Sequence, residues 1–271
     1  MSSFVLSSDA IKDAATFTTT TAAAGYAASN MQSDNKLETW RSTVVTAQLI
    51  TATWSTAEII NAVCLAHHNL IIGSVIRIKL YTLAADVSAV YDSGNMTLSY
   101  AAPPPAGFST NNSLSFGFGG GNYFSHIFKS YVAEKLEVTI TSAGNTDGFI
   151  EVSRLLAGSA FVTNKIEYGA ATGHVNMSAQ TRSDSGSLVI DRLPQSRVQT
   201  LSLANLDNDE RVSVSEILRV NGNHTPAFVS IFPAKAEKKA REFEIYGYLE
   251  DATIPYISTD NSRIDLKINE V

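Results

Sequence analysis

The sequence predicts a mainly β protein, with an antiparallel β-sandwich followed by a smaller β-rich module that contains one helix. Three observations support this fold class. Short segments of alternating apolar and polar residues recur along the chain, turn-forming residues separate them, and one later segment carries helix start and stop signals. Several short alternating strands joined by turns are typical of an antiparallel sandwich.

The strand pattern is clearest in the segment 75–81, where apolar and polar side chains alternate strictly, as in a half-buried strand. The same alternation, or an apolar run of strand length, occurs at 44–54, 59–66, 136–141, 149–156, 227–232, 242–249 and 263–268. Residues 1–30 are rich in Ser, Thr and Ala and include a β-branched run that opposes helix formation. We expect an extended arm, or an early strand with loops, in that segment.

One helix is predicted in the second part of the chain. Asp207 and Glu210, three residues apart, form the pattern of a capping box. Val214 and Leu218 then follow at helical spacing, and Gly222 supplies a residue that commonly ends a helix.

The domain organisation follows from changes in composition. The stretch 168–188 is rich in Gly, Asn and Ser and poor in apolar residues, which indicates a boundary. We expect an N-terminal arm (1–25), a sandwich domain (26–175) and a C-terminal β module with the helix (176–271). The Pro- and Gly-rich segment 101–123 is expected to form a long surface loop at one end of the sandwich.

Composition limits the classes of function. With 44% hydrophobic and 17% charged residues the chain can bury a core, and its net charge of -6 disfavours binding to nucleic acid or an anionic membrane. No apolar stretch reaches transmembrane length, and the first residues lack the features of a signal peptide, so we expect synthesis in a cytoplasm without membrane insertion. The lone Cys64 lies in an apolar run and is expected to be a buried thiol.

The sequence shows no catalytic constellation. His67 and His68 are the best candidate metal ligands, but adjacent strand residues point to opposite faces, so we expect one packed and one hydrogen-bonded histidine. The Gly-rich stretch 117–121 lacks the Lys-Ser/Thr of a phosphate-binding loop. We therefore expect no enzyme activity, no metal site and no cofactor.

A few side chains near expected loops are candidate contacts for a glycan or a partner protein, because aromatic faces stack on sugar rings and fill partner pockets. These candidate contact residues are Trp54, Tyr123, Phe124 and His68. Docking onto a neighbouring subunit is the preferred role, and sugar binding is the alternative. Trp40 and Arg41 have two interpretations, a binding platform or a core cap with an ion pair, of which we favour the second.

Several segments carry a resemblance through their order. Trp40-Arg41-Ser42 precedes a β run, the apolar run 59–65 leads into His67-His68-Asn69-Leu70 and the strand 75–81, and the segment 148–158 contains a Glu and an Arg. In this order they resemble the discoidin-like, galactose-binding-like jelly rolls of tailed-phage virion proteins. Residues 197–271 are similar to a C-terminal module that follows such jelly rolls in phage tail proteins, so the resemblance begins at about residue 26 and departs at the Pro- and Gly-rich segment.

The resemblance implies a structural virion protein of a phage tail tip or baseplate, made in the host cytoplasm. Its partners would be other tail proteins and further copies of itself in a ring around the tail axis. The alternative is a carbohydrate-binding module that recognises host-surface glycans during adsorption. A third class, an accessory domain of a secreted bacterial hydrolase, is disfavoured because the sequence shows no secretion signal.

Overall fold

The computed structural model describes residues 4–7, 15–98, 123–176, 178–184, 186–191, 195–233, 243–250, 254–258 and 261–271. Within these ranges the chain forms two eight-stranded antiparallel sheets, a separate two-stranded hairpin, one α-helix and one 3-10 helix. Of the Pro- and Gly-rich segment 101–123 expected to form a surface loop, residues 101–122 lie outside the described residues, and Tyr123 begins a strand instead of ending a loop.

In chain order the strands are β1 (Phe4–Ser7), β2 (Thr16–Thr19), β3 (Trp40–Arg41), β4 (Gln48–His68), β5 (Val75–Tyr81), β6 (Tyr91–Asp92), β7 (Met96–Thr97), β8 (Tyr123–Thr141), β9 (Glu151–Gly158), β10 (Ala160–Thr163), β11 (Ala171–Asn176), β12 (Ala179–Arg182), β13 (Leu188–Asp191), β14 (Gln195–Leu206), β15 (Ala227–Ser230), β16 (Glu244–Leu249), β17 (Tyr256–Ser258) and β18 (Asn261–Glu270). The α-helix, α1, spans Asn208–Asn221, and the 3-10 helix spans Ala28–Gln32.

The N-terminal sheet has the strand order β3-β9-β4-β8-β5-β6, with β2 beside β4 and β7 beside β5. Its two long strands, β4 and β8, pair from Gln48↔Ile140 to Ala66↔Tyr123, and the register shifts twice along them. The first part of β4 also pairs with β2, and the last part pairs with β9. Because strands bend at such shifts, one continuous sheet can form the two layers of a sandwich around a common core.

The sandwich core forms because inward-facing positions of these strands are apolar. Trp40, Ile50, Ile78 and Val138 are almost completely buried there, and alternate residues of β5 follow the predicted in-and-out pattern. The fold class predicted from the sequence, a jelly-roll β-sandwich plus a smaller β module with one helix, is confirmed.

The helix begins and ends where the sequence predicts. The Asp207 carboxylate accepts a hydrogen bond from the Glu210 N–H at 2.9 Å, and the Glu210 carboxylate accepts from the Asp207 N–H at 3.2 Å, which completes the capping box. Gly222 ends the helix with φ 54°, a backbone conformation that favours glycine. Val214 is the apolar residue that α1 buries against the second sheet.

The C-terminal sheet has the order β10-β1-β15-β16-β18-β14-β11, with β17 beside β18. Three of its strands come from unexpected parts of the chain: β1 lies between β10 and β15, β10 ends at Thr163, and β11 ends at Asn176. The N-terminal segment 1–25 thus contributes β1 to one sheet and β2 to the other, and the sheets divide at Ser159. The division at 25 and 175 remains a prediction about independently folding units.

Candidate functional site

The four candidate contact residues lie in the interior. The exposed fraction is 3% for Trp54, 0% for Tyr123, 7% for Phe124 and 2% for His68. They belong to β4 and β8, where they point inward, rather than to loops. None of the four side chains presents a free face, and ligand contact by them remains a prediction.

Trp40 and Arg41 follow the structural interpretation. Trp40 is fully buried in the sandwich core, and its Nε1 donates to a backbone carbonyl at 3.0 Å. Arg41 pairs with Glu151 at 3.0 Å, and its guanidinium lies 4.1–4.2 Å from the ring centroids of Tyr26 and Phe149. The core cap and ion pair are confirmed.

The histidine doublet also has a structural role. His68 Nδ1 accepts a hydrogen bond from the Leu70 N–H at 3.2 Å, whereas the His67 ring packs 5.3 Å from the ring of Tyr123. One histidine is hydrogen-bonded and the other packed, as predicted. Within the part of the chain that the structure describes, no group of three His, Cys, Asp or Glu side chains is placed to hold a metal ion. Cys64, the one cysteine of the sequence, is buried, as predicted.

Tyr123 contacts the C-terminal sheet of the same chain. Its hydroxyl donates to Glu270 at 2.6 Å, and Glu270 forms an ion pair with Arg197 at 2.9 Å. The Arg197 guanidinium also donates to the Glu244 carbonyl at 3.0 Å. We call the contact zone between the two sheets the junction, and it comprises Asp34, Cys64, Ala66, His67, Tyr123, Ser125, Arg154, Leu156, Arg197, Phe228, Glu244, Tyr246 and Glu270.

In the junction, the cost of burying charged side chains is offset by ion pairs and hydrogen bonds between them. Burial alone favours the neutral form of Glu270, but the hydrogen bonds and charge of Arg197 outweigh it, so the pKa of Glu270 lies below its usual value. Burial, with Glu270 nearby, raises the pKa of Tyr123, so this hydroxyl stays protonated. Arg154 donates to Tyr246 Oη at 2.9 Å and pairs with Asp34. These contacts make the junction a fixed internal contact and not a ligand site.

A better candidate site lies at one end of the sandwich. It consists of Tyr91 from β6 and of His126, Phe128 and Tyr131 from β8, and we call it the aromatic face. β5 pairs with β8 only from Thr141 to Lys135, so the earlier half of β8 extends past β5. The four side chains are half-buried there, and three of the rings rest on the sandwich core.

The rings of the aromatic face form one stacked group. The Tyr91 ring is 4.4 Å from the Phe128 ring at 15°, and 5.2 Å from the Tyr131 ring at 36°. Tyr91 Oη and His126 Nε2 are hydrogen-bonded at 2.7 Å. This bond and the stacking fix the positions of the rings, so a ligand would meet a preformed surface.

The aromatic face is uncharged at neutral pH. Burial lowers the pKa of His126, so this imidazole is neutral, and burial with the neighbouring Tyr131 and Asp92 raises the pKa of Tyr91. Asp92, the next residue in β6, points to the opposite side and is held by Arg77 at 2.5–2.9 Å. Its pKa lies well below the usual range because of that hydrogen bond and one from the Gly94 N–H. The surface therefore suits a neutral ligand with both an apolar side and hydroxyl groups.

Sequence reasoning missed the aromatic face because its residues come from two segments far apart in the chain. The spacing of His126 and Phe128, two residues apart on one strand, is the local signal that points to a shared face. Only the pairing of β6 with β5, through Leu80↔Tyr91, brings Tyr91 to them.

A second exposed feature is the hairpin of β12 and β13, residues 179–191, which we call the β-arm. In the described part of the chain its two strands pair only with each other. Leu188, Val189 and Ile190 are 51%, 54% and 46% exposed, so apolar side chains face solvent on both sides of β13.

Neither helix in the described ranges is long and apolar enough to span a bilayer.

Comparison with known proteins gives a likeness to several solved structures at low identity. No family model matches the sequence, and no curated protein matches it. Chitosan-binding module 1 of a chitosanase/glucanase from Paenibacillus sp. IK-5 is 16% identical with a TM-score of 0.38, covering 54% of this chain and 96% of that one. The Clostridium perfringens module CpGH89CBM32-5, in complex with GalNAc-β-1,3-galactose, is 12% identical with a TM-score of 0.40, covering 56% of this chain and 100% of that one.

Proposed function

We propose that this chain is a non-catalytic binding protein and that its sandwich binds carbohydrate at the aromatic face. The observation that carries the proposal is the stack of Tyr91 on Phe128, flanked by His126 and Tyr131, in which all four side chains are partly exposed and held in position. A surface of this kind supports binding more readily than reaction, because it holds no ionised acid or base.

The chemistry of a sugar ring matches this surface. One side of a pyranose carries mainly C–H groups, which stack on aromatic rings, and its edge carries hydroxyls. The Tyr91 and Tyr131 hydroxyls and the His126 ring supply hydrogen-bond donors and acceptors at the rim of the rings. Because the rings are already ordered, little side-chain entropy is lost on binding.

Calorimetric titration after a glycan-array screen tests the proposal. The best saccharide should bind the wild-type chain, and Phe128→Ala should weaken binding at least about tenfold, or ~1.4 kcal/mol. Tyr168→Ala is the matched control, because Tyr168 is fully exposed and lies between β10 and β11. This variant should bind the saccharide with the affinity of the wild type. No binding to any saccharide, or equal binding by Phe128→Ala, would contradict the proposal.

The second candidate function is structural, as a tail-tip or baseplate protein of a phage virion. The β-arm favours it, because an exposed apolar hairpin suits insertion between subunits. The sequence resemblance to phage tail proteins is its other support. In this role the sandwich and the C-terminal sheet would form the body, and the chain would contact copies of itself and other tail proteins.

The structural candidate is tested on particles. Phage particles produced by cells that express this chain should contain it, as detected by mass spectrometry after gradient purification. Antibody labelling in electron micrographs should then mark the tail and not the head. Absence of the chain from purified particles would contradict this function and leave carbohydrate binding standing.

A further inference from the structure

We propose that the β-arm is a docking element that pairs, edge to edge, with the β-arm of a second copy of this chain. The inference deepens the structural candidate function and does not depend on carbohydrate binding. Its starting point is a mismatch between composition and environment. The run Leu188-Val189-Ile190 has the continuous apolar character of a strand buried on both faces, yet all three residues are exposed.

The β-arm lacks the packing that stabilises a strand pair. It registers from Ala179↔Asp191 to Arg182↔Leu188, which is four residue pairs. A two-stranded hairpin of this length is marginal in water unless further strands or a helix cover it. Every side chain of β13 is exposed, so the part of the chain that the structure describes does not supply that cover.

The edges of the β-arm are also unprotected, in contrast to those of the N-terminal sheet. There, three of the outermost strands, β3, β6 and β7, are each two residues long, a length that leaves little to pair with, whereas the fourth, β2, has four residues. Among the described residues, each strand of the β-arm has one edge that pairs with no other strand. The stretch 171–191 contains neither Lys nor Pro, the residues that most often prevent edge pairing.

A second copy is the occupant that these features fit. Two β-arms joined along one edge form a four-stranded sheet, above the number of strands needed for stability. Each edge carries a single charge at the end of its strand: Arg182 follows Ala179-Gln180-Thr181 on β12, and Asp191 follows Leu188-Val189-Ile190 on β13. The other three residues of each strand are neutral, so like edges repel little, whereas the chain as a whole has a net charge of -6 that opposes contact elsewhere. In a two-fold arrangement both copies use the same surface, so one contact pairs a strand edge of each β-arm.

The test compares the mass of the full chain in solution with that of charged variants. Multi-angle light scattering should give the wild-type chain twice the mass of a single chain. The double variant Leu188→Lys with Ile190→Lys places two like charges on each arm and should lower the mass roughly twofold. Leu83→Lys with Val87→Lys is the matched control, because both residues are exposed in the loop between β5 and β6, and it should keep the wild-type mass.

Two further measurements keep the outcomes distinct. Thermal unfolding of the arm variant should match the control, which shows that the body is intact. A wild-type chain that stays monomeric, or an arm variant that keeps the dimer mass, overturns the docking inference even if the chain is found in phage tails. A dimer lost in the arm variant supports docking, even if the chain is absent from particles and the structural function fails.

Discussion

The junction and the β-arm place opposite kinds of residue in opposite surroundings. The junction buries charged side chains, and Arg197, Glu270 and Arg154 find partners there. The β-arm leaves apolar side chains about half exposed, and in the described chain its two strands pair only with each other. Charged side chains that are buried and paired hold two parts of the same molecule together. Apolar side chains that are exposed mark a surface to which a partner protein can bind.

Removing one partner of the junction should have the largest effect. Glu270→Ala leaves the guanidinium of Arg197 buried without its carboxylate, and we expect a loss of about 3–5 kcal/mol in the free energy of unfolding. Urea titration measures it. Glu216→Ala breaks an exposed ion pair with Arg219 on α1 and should leave the midpoint unchanged. Equal midpoints for the two variants would show that the junction does not hold the sheets together.

The junction should also lose stability in mild acid. Burial first, with Lys36 and Arg197 nearby, lowers the pKa of His67 from 6.5 to about 4. The unfolded chain therefore takes up the proton first, and stability should fall as pH drops from 6.5 towards 4, by on the order of 3 kcal/mol.

The control for this pH effect is His67→Asn. The backbone of His67 has φ 52°, which asparagine tolerates, and asparagine does not titrate. The unfolding free energy of both proteins is measured at several pH values, and the wild-type value minus the variant value should increase by on the order of 3 kcal/mol as pH rises from 4 to 7. A constant difference between pH 4 and 7 would contradict the assignment to His67.

Alanine substitutions at two glycines, one near the junction and one near the β-arm, should have smaller effects on the free energy of unfolding. At Gly247, in β16 of the C-terminal sheet, an added Cβ would lie 2.1 Å from the Asn269 carbonyl oxygen in β18. Gly247→Ala should therefore force the two strands apart and cost about 3 kcal/mol. At Gly173, in the strand that leads to the β-arm, the nearest atom is 3.9 Å away, so Gly173→Ala should change stability by less than about 0.5 kcal/mol. Similar losses would contradict the difference in packing.

The smallest effect is expected in the β-arm itself. At concentrations where the chain is monomeric, Leu188→Ala should change the free energy of unfolding by less than about 0.5 kcal/mol, because the side chain is 51% exposed on the surface of the hairpin. Chemical denaturation at low protein concentration measures it. A loss of more than about 1 kcal/mol would show that the arm packs on the body of the molecule.

Local signals predicted much of the secondary structure. The capping box of Asp207 and Glu210 and the alternation of 75–81 depend on neighbouring residues, so α1 and β5 lie where the sequence predicts. The start of β8 at Tyr123, well before the predicted strand at 136, lacks a strict alternation. The insertion of β1 between β10 and β15 depends on pairing over the length of the chain, which no local pattern specifies.

The site was harder to predict, because exposure is a tertiary property. An aromatic residue near a predicted loop has the same sequence pattern whether it faces solvent, as the aromatic face partly does, or the interior, as Trp54 and Phe124 do. Tyr123 is another example, because its hydroxyl donates to Glu270 in the second sheet of the same chain, a contact that no local pattern specifies.

Nuclear magnetic resonance titration with the best saccharide tests the central claim most directly. With selectively labelled Tyr, Phe and His, the ring signals of Tyr91, His126, Phe128 and Tyr131 should shift together along one binding curve, because the four rings form one stacked group. The ring signals of the buried residues Tyr123 and Tyr246 should not shift, so they serve as internal references. Shifts confined to other residues, or no shifts with any saccharide, would contradict carbohydrate binding at the aromatic face.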